Sequence, residues 1–324
     1  MRDVALPPSG KGMVAVRVEQ VSVCGTDRKV VDGSVPVTTP RVIGHELVGR
    51  VAGPTPVGRL RPGDRVLVDP SVSCGRCATC RRGLVHLCPE GGLMGRDVDG
   101  GMAELVAVPP GRAHPLPEGI GADDAALLQV LGTCVHALRD VPAVVPGHAA
   151  VVGLGVSGLL HVQLLRARGA SSVLGVGRSP AKRALAEALG ATTTCSPDEA
   201  VDAIEATTGG EGAGVVVEAV GSGPTISLSV ALAGFGAVVV VYGMVPGPGS
   251  SAPCSEMYRK ELRVLHPRAA LGADYEDAIA LTASGAVRAA PLVTERVQLA
   301  DAPDLFSSWA DHPERLKAVV DLTG

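Results

Sequence analysis

The sequence predicts an α/β protein in which a β-rich domain is joined to a doubly wound parallel-sheet domain, and three observations carry that prediction. Up to about residue 115 the chain is rich in Val, Gly and Pro and holds short alternating runs such as M-V-A-V-R-V-E-Q-V and D-R-V-L-V-D-P, each bounded by turn residues. From about Asp123 the pattern changes to Ala/Leu-rich helical periods alternating with β-branched runs: A-A-V-V-G, L-L-H-V-Q-L-L-R-A-R, S-V-L-G-V, then A-K-R-A-L-A-E-A-L. Alternation of this length implies parallel strands joined by crossover helices. A glycine fingerprint, Gly153, Gly155 and Gly158, falls between the first of those strands and the helix after it.

The remaining elements follow in order. The uncharged stretch from Pro224 to Ser255 holds the apolar run Val230 to Val245, which Gly234, Gly236 and Gly243 interrupt. Its apolar core is too short for a bilayer, and it reads as a helix end feeding a buried strand, V-V-V-V-Y. After about Leu271 come a helical D-Y-E-D-A-I-A-L-T-A-S-G, a short segment and a terminal strand, K-A-V-V-D-L. There is no fixed-period repeat.

Composition narrows the function classes. Hydrophobic residues make up 46% of the 324 and charged residues 19%, as in globular proteins with real cores. Thirty-three acidic residues against 29 basic ones give a net charge of −4, so no global field favours nucleic acid or an anionic membrane. The N-terminus M-R-D-V-A-L-P-P lacks a basic start followed by an apolar stretch, and eight cysteines without an export signal imply a reducing, cytoplasmic setting. Cys134, Cys195 and Cys254 then read as free thiols.

Two cysteine and histidine groups point to metal. Cys74, Cys77, Cys80 and Cys88 have the spacing C-x2-C-x2-C-x7-C, which lets four thiolates close a tetrahedron around one structural zinc. Two disulfides are the alternative reading, which the absence of an export signal disfavours. Cys24 in V-C-G-T-D and His45 in G-H-E-L-V-G supply fewer ligands and leave an open position, as a catalytic zinc requires. Two zinc ions per chain are expected.

The fingerprint G-L-G-V-S-G is weak evidence alone in a chain with 42 glycines, but its strand–turn–helix setting is the one that lets backbone N–H groups of Gly155, Val156, Ser157 and Gly158 meet a pyrophosphate. About twenty residues on, where an acid would hold a ribose hydroxyl, stands Gly177, followed by Arg178, Ser179, Lys182 and Arg183. Room for a phosphate beside a guanidinium favours NADP, with NAD as the alternative if these basic residues are only a solvated helix start.

The motifs C-G-T-D, G-H-E-x-x-G, G-D-R-V, the four-cysteine lobe, G-G-M-A-E, the glycine fingerprint and the closing K-A-V-V together resemble the medium-chain, zinc-dependent alcohol dehydrogenase family, with V-C-G-T-D-R-K-V-V-D-G most similar to its glucose, polyol and threonine dehydrogenases. The resemblance implies a GroES-like catalytic domain over residues 1–131, completed by 270–324, and a Rossmann domain over 132–269. It implies hydride transfer between a secondary alcohol and NAD(P). It also assigns Cys24 and His45 as zinc ligands, Glu46 as their acidic neighbour, Thr26 as acceptor of the substrate proton and Asp27 as the carboxylate orienting the ligand histidine. Gln129 falls where relatives carry a third ligand, and Glu104 is a candidate acceptor for a substrate hydroxyl. Lys29 replaces a relay histidine, Thr55 replaces a common glycine, and H-P-R at 266–268 replaces Gly-Ser. With aromatic residues at only 2%, a polyhydroxylated sugar, polyol or cyclitol suits the pocket better than a bulky apolar alcohol. A homo-dimer or homo-tetramer is expected. The competing readings are a dinucleotide-binding sensor or scaffold without turnover, and a zinc-independent enoyl or quinone reductase of the same superfamily.

Overall fold

A computed structural model describes residues 3, 12–53, 57–142, 147–245 and 252–323. The N-terminal octapeptide apart from Asp3, and Thr55, lie outside the described residues. The chain divides into two compact units, one of residues 1–132, 269–284 and 289–324, the other of residues 133–268 and 285–288.

The first unit is built on a seven-stranded sheet in the order Val293–Gln298, Lys317–Asp321, Val14–Ser22, Glu46–Ala52, Arg65–Val68, Ala113–Pro115, with Leu105–Val108 also paired to Val14–Ser22. The alternating run noted in the sequence becomes the hub strand: Val14, Val16 and Val18 turn inward while Arg17 turns out. That inner face meets Leu47, Val51, Leu60, Val66, Val68, Val106 and Val108 in one apolar core. The hub strand pairs antiparallel with Glu46–Ala52 in a register that sets Ser22 opposite Glu46, and its last three residues pair with the C-terminal strand. All three strands therefore end near the same place, just before Cys24 and just after His45.

The second unit holds a six-stranded parallel sheet in the order Thr193–Cys195, Ser172–Val176, His148–Val152, Ala213–Glu218, Ala233–Val241, Arg263–Leu265. Numbered along the chain this is 3-2-1-4-5-6, the doubly wound order in which the direction of winding reverses beside the first strand. The helices Val156–Ala167, Pro180–Ala188, Ala200–Thr208 and Gly223–Leu232 cross between strands. Continuous Val and Ala runs fill the strands because both faces of such a sheet are covered. The helix Gly223–Leu232 is closed at its C-terminal end by a buried lysine: Lys260 Nζ donates to the carbonyls of Val230, Ala231 and Ala233 at 3.0, 3.0 and 2.7 Å. Carbonyls at a helix end lack intrahelical donors and carry partial negative charge, so an ammonium satisfies both needs. Among the described residues of the chain, no helix is long and apolar enough to cross a membrane.

His161 lies fully buried in the helix Val156–Ala167, its Nδ1 2.7 Å from the Ser157 carbonyl and its ring edge-on to Tyr242 at 4.9 Å. Burial lowers its pKa from 6.5 to about 4. A histidine that stays neutral in the fold but protonates in the unfolded chain contributes stability that is fully present above the unfolded pKa and is lost as pH falls towards the folded one. Between about pH 6.5 and pH 4 the parent protein should therefore lose on the order of 3 kcal/mol more stability than a His161→Leu variant. Denaturant titrations of both proteins across that range check this.

Candidate functional site

The four cysteines of the first unit fold back on one another. Cys77 caps the short helix Ala78–Arg81, and its sulfur accepts the Cys80 N–H at 3.4 Å. The Cys74 sulfur accepts the Cys77 N–H at 3.3 Å, and the Cys88 sulfur accepts the Cys74 N–H at 3.4 Å. The sulfurs of Cys74 and Cys80 are 4.0 Å apart and those of Cys77 and Cys88 3.9 Å, with no disulfide among them. Four thiolates at a zinc–sulfur distance of about 2.3 Å in a tetrahedron would be about 3.8 Å apart, so the lobe has the dimensions of a closed zinc site. The Cys80 N–H bond lowers the Cys77 thiol to about 7, towards the thiolate that a metal needs.

The second cluster is organised by Asp27, on the first turn of the helix Gly25–Val31. Its Oδ2 accepts the Cys24 N–H at 2.9 Å, as the N3 side chain of a capping box does. Its Oδ1 accepts the Gly44 N–H at 3.1 Å and faces His45 Nδ1 at 3.2 Å. Holding the proton on Nδ1 leaves His45 Nε2 as the free lone pair. Cys24, His45 and Glu46 then converge, with one donor atom from each within 4.8 Å of the others. Burial by itself would lower the His45 pKa, but Asp27 and Cys24 outweigh it and hold the ring well above its ordinary value. The pocket thus favours positive charge, which a metal cation at Nε2 can supply in place of the proton, and a thiolate, an imidazole and a carboxylate form a donor set that suits zinc.

Glu46 is buried and accepts a 2.7 Å hydrogen bond from Lys317 Nζ, which also donates to the Val23 carbonyl at 3.3 Å. Lys317 keeps its proton despite burial because Glu46 and then Cys24 outweigh the desolvation. Thr26 lies half-buried on the same helix turn as Asp27, and Lys29 half-buried on the last turn, its carbonyl accepting the Val35 N–H at 2.8 Å. Glu104 is exposed, and its carbonyl accepts the Val18 N–H at 3.0 Å. Gln129 is buried on the helix Leu128–Ala137, its Nε2 donating to the Tyr275 hydroxyl at 3.4 Å. Sequence reasoning missed Lys317, read only as the start of a strand, and Tyr275, read only as part of a helix. A lone lysine at the head of an apolar terminal strand is the one signal that pointed to the former.

In the second unit the fingerprint sits in the turn after the strand His148–Val152 and opens the helix Val156–Ala167, with Gly155 as its cap. Gly153 has φ +99°, and a Cβ on Gly158 would lie 1.8 Å from the Gly153 carbonyl oxygen, so the turn closes only with glycine at both positions. At the end of the next strand a Cβ on Gly177 would lie 2.9 Å from Leu154 Cδ1. Arg178 is exposed there, Ser179 Oγ caps the helix Pro180–Ala188 by accepting the Lys182 N–H at 3.2 Å, and Arg183 Nη1 donates to the carbonyls of Gly177 and Arg178 at 2.9 and 3.3 Å. Glu218, buried at the end of the fourth strand, accepts from the Val220 and Gly221 amides at 2.9 and 2.8 Å and from Thr225 Oγ1 at 2.7 Å. That carboxylate too was missed, although it fixes the turn next to the reversal of the sheet.

Comparison with known proteins gives this arrangement its class. Residues 10–118 match the family described as alcohol dehydrogenase GroES-like domain, and residues 156–284 the family described as zinc-binding dehydrogenase. An uncharacterized zinc-type alcohol dehydrogenase-like protein of Haemophilus influenzae is 30% identical over 97% of this chain and 92% of its own. L-galactonate-5-dehydrogenase of Escherichia coli is 30% identical over 98% and 94%. A solved structure from Sinorhizobium meliloti, described as a zinc-binding dehydrogenase bound to NADP, is 36% identical with a TM-score of 0.90 over 99% of this chain and 95% of that one. The chain belongs to the medium-chain, zinc-type alcohol dehydrogenase family, NAD(P)-dependent oxidoreductases that act on CH–OH groups. Neither the sensor nor the zinc-independent reductase finds support in these relatives.

The buried pair behind Glu46 makes a direct prediction. Lys317→Met strands a carboxylate without its counter-ion and should cost about 3–5 kcal/mol, whereas Glu46→Gln combined with Lys317→Met should recover most of that loss. Denaturant unfolding of the metal-loaded proteins checks both.

Proposed function

We propose that this protein oxidises a secondary hydroxyl of a polyhydroxylated substrate, a sugar, polyol, cyclitol or sugar acid, to a ketone with NADP as the preferred acceptor, and catalyses the reverse reduction. The observation that carries the reading is the convergence of Cys24, His45 and Glu46, with Asp27 facing His45 Nδ1 so that Nε2 is the nitrogen left for a metal. In this reading Cys24, His45 and Gln129 hold a catalytic zinc, which when bound supplies the Lewis acid that lowers the pKa of the substrate hydroxyl. Thr26 takes the hydroxyl proton at Oγ1. Asp27 keeps the His45 tautomer fixed, and Glu46 stays beside the metal on its bond to Lys317 as a carboxylate able to approach it. Lys29, on the last turn of the same helix, is assigned to the path by which the proton leaves Thr26.

The four-cysteine lobe holds a second, structural zinc. Gly153, Gly155, Val156, Ser157 and Gly158 bind the pyrophosphate, and Arg178 binds the 2′-phosphate, with Ser179 and Arg183 shaping the strand end around it. Three features support NADP: Gly177 has no side chain to oppose a phosphate, Leu154 fills the space where an acid would stand, and the relative from Sinorhizobium meliloti was solved with that cofactor. The sugar-acid relative from Escherichia coli and the scarcity of aromatic residues support a polyhydroxylated substrate. Glu104 is the candidate acceptor for one of its hydroxyls. Eight cysteines with no disulfide among them suit a cytoplasmic setting. A homo-dimer or homo-tetramer is part of the same reading, supported by the exposed Phe235 and Tyr258 of the second unit. Turnover of a panel of sugars, cyclitols, sugar acids and simple secondary alcohols with each cofactor tests the reading, and activity confined to simple apolar alcohols would refute it.

Metal content separates the two clusters. Two zinc ions per chain are expected. Cys24→Ala should bind one and remain folded, while Cys77→Ser should lose the other together with stability, since a structural ion contributes to folding. Atomic absorption paired with thermal unfolding reads both, and one zinc in a fully active preparation would sink the assignment.

Cofactor choice tests the strand end. Arg178→Ala should lower kcat/KM for NADP roughly ten- to hundredfold and leave NAD nearly unchanged, as removal of a charge-assisted contact does. Gly177→Asp should deepen the loss by placing a carboxylate against the 2′-phosphate, once Leu154 has moved aside. Steady-state kinetics with both cofactors decide, and a parent enzyme faster with NAD would overturn the NADP assignment.

A further inference from the structure

Gln129 differs chemically from the carboxylates that can stand at a third-ligand position. A carboxylate presents an oxygen whichever way it turns, but an amide has one oxygen and one NH2, so only one of its two orientations can face a cation. Something must select that orientation, and the first unit contains a residue placed to do so.

The Tyr275 hydroxyl accepts the Gln129 Nε2–H at 3.4 Å, and both side chains are buried. With the nitrogen held there, Oε1 is the arm left for another partner. The segment leading to Gln129 is tied to the metal cluster: the Ala126 carbonyl accepts Ser22 Oγ at 2.7 Å, and Ser22 lies opposite Glu46 in the sheet, two residues before Cys24. The tyrosine ring is held as firmly. Tyr275 stands on the first turn of the helix Gly272–Ala283, whose start is fixed by Asp274 Oδ2 accepting the Leu271 N–H at 2.7 Å. One turn beyond Gln129 on its own helix is Gly132, where a Cβ would lie 2.3 Å from Tyr275 Cδ1. Only glycine there leaves room for the ring where it stands. His114 also packs against the ring in a tilted arrangement, ring centroids 5.6 Å apart. Burial, with Asp69 as a further contributor, holds the Tyr275 pKa well above its ordinary value, so the group is a neutral hydroxyl with lone pairs to offer.

We propose that Tyr275 is a positioning residue for the catalytic metal centre: by accepting the Gln129 amide N–H, it makes Oε1 the atom offered to the cation. The inference rests on Gln129 being a metal ligand, and its test separates the two claims. The zinc-loaded full chain is mixed with a chromophoric chelator, and zinc release is followed in time, with Cys24→Ala identifying which phase belongs to the catalytic site. Tyr275→Phe keeps the ring against Gly132 and removes only the acceptor. Release from the catalytic site should become about ten- to hundredfold faster, the range typical for loss of an outer partner of a metal ligand, while release from the cysteine lobe keeps its parental rate. Some loss of thermal stability follows from a merely structural hydrogen bond as well, so the site-selective release rate is the deciding readout. In a Gln129→Glu background Tyr275→Phe should have no effect on release, because either carboxylate oxygen can serve. Parental release from Tyr275→Phe, alongside fast release from Gln129→Ala, would overturn the positioning role alone. Equal acceleration by Tyr275→Phe in the Gln129→Glu background would do the same. Parental release from Gln129→Ala would remove the ligand reading and this inference with it.

Discussion

The metal-binding unit depends on one buried carboxylate. Asp27 receives the backbone N–H of Cys24, the backbone N–H of Gly44 and the imidazole of His45, and so joins a helix start to the loop that ends at the strand Glu46–Ala52. Three donors on one buried carboxylate make this a rigid joint, because hydrogen bonds to a carboxylate in a low-dielectric setting are strong. Its geometry sets the spacing of Cys24 and His45, and with it the span of the candidate metal site. The carboxylate therefore orders the backbone and the chemistry in a single act.

The nucleotide-binding unit reaches comparable definition by removing atoms. At Gly153 and Gly158 the backbone approaches itself so closely that any side chain would collide with it, and at Gly177 the neighbouring space belongs to Leu154. Glu218 supplies the polar counterpart, holding two successive amides and a threonine hydroxyl at the turn where the sheet reverses. The turn thus presents backbone dipoles with few mobile side chains, and such a surface would lose little entropy on binding a ligand.

Much of this was legible in the sequence because it is encoded locally. The cysteine spacing, the glycine fingerprint and the change from alternating to helical periodicity are each read within about twenty residues, and all fix local geometry. The two-domain α/β class followed from them. What escaped notice is non-local. The significance of Lys317 rests on a partner 271 positions away, and that of Tyr275 on one 146 positions away. Glu218 read as the last residue of a strand, with nothing nearby to announce three bonds to one side-chain oxygen. Ser179 and Arg183, expected from the sequence beside the cofactor, also have local roles no motif announces: one caps a helix and the other ties down a strand end.

The bond between Glu46 and Lys317 also bears on how the molecule comes into being. Glu46 leaves the ribosome with the early strands, yet the ammonium that neutralises it belongs to a segment synthesised 271 residues later. Until that segment docks beside the hub strand, the nascent first sheet carries a carboxylate with no counter-ion and an unpaired edge at Gln20–Ser22. Contacts of such separation form late, since chain closure precedes any gain from them. The sheet edge beside Cys24 and the charge balance of Glu46 are in this way coupled to the docking of the strand Lys317–Asp321, and a chain interrupted before residue 317 would leave both open.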